Sequence, residues 1–411
     1  MKYKFITTVL IIFSFHLSLN SQPAKKYLVE IKCPQGEINK IIESDIDIFH
    51  QFSETVIASA SANEVINLKE SNFQFRILDE NISNEKYFLI TEKYGRKLDQ
   101  SKISGKIVYS DDQAVIIKTD DLPLEGLKTE RYAFVELQKV RIAQNTFISS
   151  PIAASPADSI ISSLISKVNK DSVRSYVQAL QDFQTRFCLA SNRDQVAEWI
   201  KNKFLSFGIT DVVIDSFPFS RNWGGTVYNT YQKNVIATIR GSINPNNIYI
   251  VGGHQDSYSS GNPLLIAPGA DDNASGTAAS LEFARVLKGS GYNPEGTIKL
   301  MTFAAEELGL HGSNVYANNA KAQNMNIKLM INHDMISNEP RATNRAVSLY
   351  YYTGAENVLA KARELTQRFT NLTPITGGPN SSGSDSYSFW RVGYPSIFFF
   401  ENVFSPFYHS T

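Results

Sequence analysis

Short apolar runs recur along the second half of the chain, separated by stretches in which apolar residues return every three or four positions. Uninterrupted apolar runs are typical of strands buried on both faces of a sheet, and the longer spacing is typical of amphipathic helices. We therefore predict strands at residues 234–239, 248–251, 298–303, 328–331, 346–351 and 396–400, and helices at residues 274–288 and 356–369.

A further helix is predicted ahead of these strands. Ser191, with Asp194 three residues later, resembles a capping box, and apolar residues then follow at helical spacing until Gly208 ends the pattern. Alternating strands and helices predict an α/β fold with a central mixed, mostly parallel sheet flanked by helices. Ligands of such sheets bind at the carboxyl ends of the strands.

The first part of the chain has a different pattern, and we predict a small α+β N-terminal domain at residues 21–150. Strand-like runs at residues 27–31 and 114–117 accompany a helix-like stretch at residues 63–70. His50 is the one histidine of this part, which also lacks the spaced His, Asp and Glu patterns found later. A binding or inhibitory prodomain therefore fits this unit better than a catalytic domain.

The stretch at residues 147–158 is rich in small residues and proline, which is typical of a linker open to proteolytic maturation or of an ordinary surface loop. We assign residues 151–170 to the linker and the start of the next domain, and residues 171–411 to the main domain.

The chain begins with the layout of a secretory signal peptide, which we place at residues 1–20. Lys2 and Lys4 precede an apolar stretch at residues 5–19, and a polar segment follows. The alternative is an N-terminal anchor that stays uncleaved, although the stretch is short for a membrane span. We expect an exported protein, secreted or periplasmic, with no membrane span in its mature form.

Composition and charge narrow the classes of partner. The chain has 42% hydrophobic and 19% charged residues, and its 40 basic side chains balance 40 acidic ones. Without a basic excess or a polybasic run, nucleic acid and anionic membranes are not expected partners. Cys33 and Cys188 are compatible either with one disulfide or with two separate buried thiols.

Candidate metal ligands begin at the first motif after a predicted strand. His254 and Asp256 follow the strand at residues 248–251, and alternate residues of an extended chain point the same way. His254 would bind a metal, and Asp256 would orient its imidazole. Asp272 stands at the entrance of a helix rich in small residues, where it is either a helix cap or a carboxylate that bridges two ions.

Further candidates follow the next strands. Glu306 and Glu307 are adjacent carboxylates, which repel each other unless a cation or a proton intervenes, so we expect one to bind metal and the other to accept a proton. His333 is expected to face away from the site that Asp334 faces. Two imidazoles and three carboxylates suit a pair of divalent ions that share one carboxylate, which predicts a metallohydrolase. The predicted ligands are His254, Asp272, Glu307, Asp334 and His409.

These motifs, in this order, carry a family resemblance. From about Ser172 to the end, the chain resembles the dizinc aminopeptidases of metallopeptidase family 28, clan MH, which include secreted bacterial leucyl aminopeptidases. The resemblance implies an α/β sandwich with an eight-stranded mixed sheet and a zinc peptidase domain. The matching segments are GGHQDS, PGADDNASG, AAEELG, NHDM, SGSDSYSFW and YPSIFFFE followed by His409.

The resemblance also implies a role for each site residue. One Zn²⁺ would be bound by His254 and Asp334, a second by Glu307 and His409, and Asp272 would bridge the two. Glu306 would be the general base and acid that takes a proton from a water bridging the metals, and Asp256 would support His254. Peptides with a free N-terminus are the implied substrates. Phe398, Phe399, Phe400 and Phe404 either line a side-chain pocket or pack in the core.

Two departures from the family pattern lead to expectations of their own. Ser386 stands where the family often has a histidine, so the substrate preference cannot be carried over from relatives. Family members usually continue beyond the last histidine into a helix. We therefore expect this sequence either to be a fragment or to hold His409 less firmly.

Three other functions compete with the aminopeptidase. A carboxypeptidase or dipeptidase of this fold would share the motifs and need a cationic clamp, for which Arg341 and Arg391 are candidates. A glutaminyl cyclase needs one zinc and fewer ligands, and a non-catalytic ectodomain would be expected to have lost ligands. The preferred N-terminal residue, the oligomeric state and the role of residues 21–150 are not determined by the sequence.

Overall fold

The structure is a computed structural model. It describes residues 25–34, 38–44, 46–52, 54–83, 85–92, 98, 100, 103, 105–112, 114–119, 132–141 and 156–411. The predicted signal peptide at residues 1–20 and the linker stretch at residues 147–155 lie outside the described residues.

The N-terminal region contains two four-stranded antiparallel sheets. The elements of the first are β1 (Lys26–Lys32), α1 (Ile38–Glu43), β2 (Asp47–Gln51), β3 (Thr55–Ser61), α2 (Ala62–Glu70) and β4 (Phe75–Glu80), with the strand order β2-β3-β1-β4. The second sheet consists of β5 (Tyr87–Glu92), β6 (Lys106–Ser110), β7 (Ala114–Lys118) and β8 (Tyr132–Glu136), in the order β6-β7-β5-β8.

The two small sheets share an apolar core. Leu28 and Ile57 of the first sheet pack with Leu89 and Ile116 of the second, and all four are buried. The predicted strands and helix of this region lie within β1, β7 and α2. Its α+β character agrees with the sequence analysis, while its boundaries as a domain stay a prediction.

Residues 156–411 begin with three helices, α3 (Pro156–Ile165), α4 (Lys170–Gln181) and α5 (Arg193–Ser206). Within the residues assigned to the linker and the start of the next domain, α3 begins at Pro156, a position where no backbone donor is needed. One local prediction is wrong here. The cap of α5 is Asn192 rather than Ser191, and its side chain donates to the carbonyls of Phe183 and Thr185 instead of capping the helix.

The main sheet has eight strands in the order β15-β14-β16-β13-β11-β12-β10-β9. Four neighbouring pairs are parallel and three are antiparallel, so the sheet is mixed, as predicted. Its elements are β9 (Val212–Trp223), β10 (Thr226–Ile239), β11 (Asn244–His254), α6 (Gly276–Gly289), β12 (Gly296–Phe303), α7 (His311–Ala322), β13 (Ile327–His333), β14 (Ala346–Tyr351), α8 (Glu356–Phe369), β15 (Thr373–Pro379), α9 (Ser386–Arg391) and β16 (Ser396–Glu401).

Helices cover both faces of this sheet because successive strand residues point in opposite directions. In β11, Val251 packs into a core with α4, α5 and α6, whereas its neighbour Ile250 packs into a second core with α7 and α9. Both faces are therefore buried, which explains the near-continuous apolar runs of the strand sequences. Among the helices of the described residues, none is both long and apolar enough to cross a bilayer.

The two cysteines belong to different cores. Cys33 is buried among the strands and helices of the first N-terminal sheet, and Cys188 is buried beside Phe187 and Phe219. They lie as separate buried thiols, which is one of the two alternatives that the sequence left open.

Candidate metal centre

The five predicted ligands lie together at one edge of the main sheet. His254 ends β11, Glu307 and Asp334 follow β12 and β13, and His409 comes after β16. These four strands are neighbours in the sheet, so their carboxyl ends lie side by side. Asp272 reaches the same edge from the π-helical turn Ala270–Ser275, which precedes α6.

Asp272 contacts both predicted imidazoles, one with each carboxylate oxygen. Its Oδ1 lies 3.1 Å from His254 Nε2, and its Oδ2 lies 3.1 Å from His409 Nε2. A second carboxylate flanks each imidazole: Asp334 Oδ1 is 3.3 Å from His254 Nε2, and Glu307 Oε2 is 3.1 Å from His409 Nε2. The site is therefore two clusters, each with one histidine and one carboxylate, joined by Asp272.

The electrostatics of the site fit divalent cations. Burial alone would lower the pKa of His254, but Glu306 and Asp334 outweigh it and raise that pKa well above its usual value. Burial likewise favours a neutral Asp272, yet the two histidines hold its pKa well below the usual range. Carboxylates packed this closely and out of water need positive charge nearby. Imidazole and carboxylate donors are the set that Zn²⁺ prefers in hydrolytic sites.

Asp256 connects the first cluster to the pair of glutamates. Its Oδ1 accepts a hydrogen bond from the backbone N–H of Glu306 at 3.1 Å, and its Oδ2 accepts one from Glu307 at 3.3 Å. His254 Nδ1 lies 3.6 Å from Asp256 Oδ1 and 3.1 Å from the Asp256 backbone oxygen. Glu306 Oε2 lies 3.8 Å from His254 Nε2, and Glu306 groups with His254 and Asp334 in the first cluster, where their donor atoms lie within 4.8 Å of one another.

Two glycines and one asparagine allow the motifs to approach so closely. A side chain at Gly253 or Gly276 would place its Cβ 2.4 Å or 2.2 Å from the His333 backbone oxygen. Asn273, fully buried, donates to that same oxygen at 2.9 Å and accepts from the Gly276 N–H at 2.8 Å. The ends of β11 and β13 and the start of α6 are thereby fixed to one another.

Arg186 is a residue near the site to which the sequence analysis gave no role. Its buried guanidinium donates to four backbone carbonyls, and burial lowers its pKa to about 10 although nearby carboxylates oppose the shift. These contacts join the end of α4 to the residue that follows His254 and to the two residues that precede the π-helical turn with Asp272. A lone arginine outside any motif carried no signal for this role. The acceptors are the carbonyls of Leu180, Gln255, Pro268 and Gly269, at 2.6–3.1 Å.

His333 lies outside the cluster, in the orientation expected from the strand alternation. Its ring packs between Phe283 and Phe399, with centroid distances of 5.7 and 5.5 Å. Burial lowers its pKa to about 4, so the ring is neutral at pH 7.

A small pocket adjoins the metal centre. Asp272 and Asp334 form one side, and the rest of the lining combines apolar side chains with a loop that precedes α9. Two of the four phenylalanines named above line it, whereas Phe399 packs against His333 on the other side of the strand and Phe404 stacks on Phe400 at 6.4 Å. The remaining lining residues are Met335, Tyr350, Ser381, Gly383, Phe398 and Phe400.

The two arginines considered as a clamp for a substrate carboxylate are engaged elsewhere. Arg341 forms a two-point ion pair with Glu339. Arg391 is buried, donates to the Glu136 carbonyl at 3.2 Å and contacts the Asn314 side chain. Neither residue lines the pocket beside the metal centre.

Similar folds are found among solved aminopeptidase structures. The LapA aminopeptidase of Legionella pneumophila matches with a TM-score of 0.57 and 18% identity over 79% of this chain and 90% of that one. An aminopeptidase from Aneurinibacillus matches with a TM-score of 0.51 and 18% identity, over 60% of this chain and 89% of the other. The chain therefore shares its fold with these aminopeptidase structures.

The sequence comparisons point the same way. Residues 234–411 match the model of Peptidase family M28. A probable zinc metalloprotease of Pyrenophora teres is 35% identical over 44% of this chain and 42% of its own length. Leucine aminopeptidase 1 of Ajellomyces capsulatus is 30% identical over 61% of this chain and 66% of its own. The chain spans about half the length of the first curated relatives that it matches.

Proposed function

We propose that the protein is a zinc-dependent aminopeptidase that hydrolyses the N-terminal peptide bond of peptides. The observation that carries this proposal is the position of Asp272, whose two oxygens each face a different imidazole. Relatives named leucine aminopeptidase and zinc metalloprotease support the same activity.

The residues present would hold two zinc ions. His254 and Asp334 would bind one ion, Glu307 and His409 the other, and Asp272 would be shared. When bound, such a pair polarises a peptide carbonyl and lowers the pKa of an attacking water toward neutrality.

Glu306 is the residue that we propose to move the proton. Its carboxylate lies 3.8 Å from His254 Nε2, close to the cluster, and its backbone N–H is held by Asp256. Glu306 would accept a proton from the attacking water and deliver it to the leaving amine. Asp256 would hold the backbone of Glu306 and Glu307 in a fixed position relative to His254, which is a positioning role.

The adjoining pocket supports an exopeptidase that reads an apolar side chain. Met335, Tyr350, Phe398 and Phe400 give it an apolar wall next to the carboxylates, where a protonated substrate α-amine would be attracted. With Arg341 and Arg391 engaged elsewhere, neither candidate clamp for a carboxypeptidase or dipeptidase faces this pocket. The apolar lining therefore favours aminoacyl substrates with large apolar side chains.

Export is proposed from the sequence alone. The basic, apolar and polar succession at residues 1–22 is typical of a signal peptide, and cell fractionation with N-terminal sequencing of the mature protein would test it.

The first prediction concerns zinc and the base. We expect about two Zn²⁺ per chain and hydrolysis of leucyl-arylamide, and we expect Glu306→Gln to lose about 100-fold or more in kcat while keeping its zinc. Metal analysis and steady-state kinetics measure both quantities. Glu282→Gln is the matched control because Glu282 is also buried but pairs with Arg285 on α6.

Other outcomes would contradict the proposal in distinct ways. Two zinc ions without aminoacyl-arylamide hydrolysis would indicate a carboxypeptidase or dipeptidase. Fewer than two ions with no activity would indicate a non-catalytic domain. Full activity in Glu306→Gln would remove Glu306 from the mechanism.

A further inference from the structure

One wall of the substrate pocket is formed by a loop that also contacts the N-terminal region. We define the pocket loop as residues 380–387, which connect β15 to the first turn of α9. Ser381 and Gly383 of this loop line the pocket beside Asp272 and Asp334. The conformation of the pocket loop therefore contributes to the shape of the space next to the metal centre.

The main domain secures part of the pocket loop. Tyr352 donates from its hydroxyl to the Ser381 carbonyl at 2.8 Å, and Asn332 donates to Ser384 Oγ at 2.6 Å. These contacts come from the sheet side of the loop.

The N-terminal region supplies further contacts to the same loop. Asn380 donates to the Gln51 carbonyl at 3.1 Å. Thr91 Oγ1 lies 3.0 Å from Ser382 Oγ, and Ser382 stands between the pocket-lining residues Ser381 and Gly383 in the sequence. Each of these hydrogen bonds joins residues almost 300 or more positions apart, so they depend on the docking of the two parts.

The third contact is a buried hydrogen bond between His50 Nδ1 and the Tyr387 hydroxyl, at 3.1 Å. Burial lowers the pKa of His50 to about 3 and raises that of Tyr387 to about 12, so a neutral imidazole faces a protonated phenol at pH 7. Such a pair has one donor and one acceptor and satisfies both groups. It is not interrupted by a change of charge near neutral pH.

An apolar core continues across the same boundary. Tyr387 and Trp390 of α9 pack in one cluster with Val29, Val56 and other core residues of the first N-terminal sheet. The N-terminal region therefore shares a core with the helix that ends the pocket loop, instead of only touching its surface.

We propose that the N-terminal region is an integral part of the substrate pocket, and that β2 and β5 set the side-chain preference of the enzyme by fixing the pocket loop. The inference rests on the proposed aminopeptidase function. Gln51, Thr91 and His50 act as positioning residues, because none of them lines the pocket itself. This role differs from that of an inhibitory prodomain, whose removal would raise activity.

The second prediction tests this role with three variants. Thr91→Val removes the hydroxyl that meets Ser382, Tyr387→Phe removes the one that meets His50, and Thr91→Ser restores the first contact. We expect the ratio of kcat/KM for leucyl- over alanyl-arylamide to fall about threefold or more in the first two variants and to recover in Thr91→Ser. A loss of folded protein lowers both rates equally and leaves this ratio unchanged.

Tyr394→Phe is the matched control, because Tyr394 is also buried and donates from its hydroxyl, to the Met325 carbonyl on the far side of α9. Its leucyl-to-alanyl ratio should equal that of the unaltered protein. An unchanged ratio in Thr91→Val and Tyr387→Phe would overturn the proposal.

A readout without substrate separates this inference from the aminopeptidase proposal. Amide hydrogen exchange of the peptide spanning residues 380–391 should become faster in Thr91→Val and Tyr387→Phe but not in Tyr394→Phe. If the protein hydrolyses no aminoacyl-arylamide, the proposed function fails, and faster exchange would still establish the contact. Unchanged exchange in an active enzyme overturns the inference alone.

Discussion

At the scale of single residues, the site depends on carboxylates that are held in place by backbone groups. Asp256 is the clearest case, because its two oxygens accept from the N–H groups of Glu306 and Glu307 and one of them also lies near His254. One residue thus fixes a member of each cluster and the candidate base.

The third prediction concerns this residue. Asp256→Asn keeps the shape but replaces one acceptor oxygen by a donor, which would face the N–H of Glu306 or Glu307. We expect zinc affinity to fall about 10- to 100-fold, as is typical when a group that orients metal ligands is changed. Competition with a chelator measures this affinity. Asp211→Asn, at an exposed position, should retain zinc like the unaltered protein, and equal affinity in Asp256→Asn would contradict the positioning role.

At the scale of elements, the centre forms because α6 packs against the sheet with almost no space between them. Gly253 at the end of β11 and Gly276 at the start of α6 both approach the His333 carbonyl, and Asn273 bonds to the same oxygen. Arg186 donates to the carbonyls of Pro268 and Gly269, which precede the turn with Asp272. The positions of Asp272 and His254 therefore follow from packing between main-chain segments.

The fourth prediction uses two glycines of the same helix. Gly276→Ala would place a Cβ 2.2 Å from the His333 oxygen, and we expect it to lower the free energy of unfolding by about 3 kcal/mol. Gly289→Ala, where a Cβ meets nothing within 4 Å, should be neutral or stabilise by up to about 1 kcal/mol. Urea unfolding of both variants measures the difference, and equal stabilities would show that the helix can shift without cost.

At the scale of the whole molecule, the N-terminal region and the main domain share a core and a set of buried hydrogen bonds. His50, on β2, lies in this boundary with its ring neutral, because burial lowers its pKa to about 3 from an ordinary value of 6.5. The unfolded chain binds a proton at this histidine below pH 6.5, while the folded chain does not. The stability that His50 contributes is therefore present above pH 6.5 and is lost as the pH falls toward 3.

The fifth prediction follows from the lowered pKa of His50 in the folded state. The difference in unfolding free energy between the unaltered protein and His50→Gln should be constant above about pH 7. Below pH 6, the unaltered protein should lose up to about 1.4 kcal/mol of stability per pH unit relative to the variant. Urea unfolding of both proteins between pH 5 and 8 measures the difference, and comparison cancels the titration of all other groups. A pH-independent difference would mean that His50 has the same pKa in the folded and unfolded states, and would contradict the lowered pKa.

The sequence by itself predicted six of the eight strands of the main sheet, the helices α5, α6 and α8, and which residues meet at the candidate metal centre, whereas β9 and β15 were not predicted. The strands predicted at residues 346–351 and 396–400 match β14 (Ala346–Tyr351) and lie within β16 (Ser396–Glu401). The reason is that a strand's pattern and the polar residue at its end are local, and parallel strands bring such ends to the same edge. His254, Glu307 and Asp334 could be placed together in this way without knowledge of the packing.

Only the tertiary structure decided which other groups surround that centre. Ser191 looked like a helix cap by its spacing, yet Asn192 takes that position and bonds to distant carbonyls. Arg186 and Asn273 also donate to backbone carbonyls far away in the sequence, those of Gln255 and His333, and such contacts carry no sequence signal. The same holds for His50 and Tyr387, whose contact joins positions 337 residues apart and exists only because two separately patterned parts of the chain share one core.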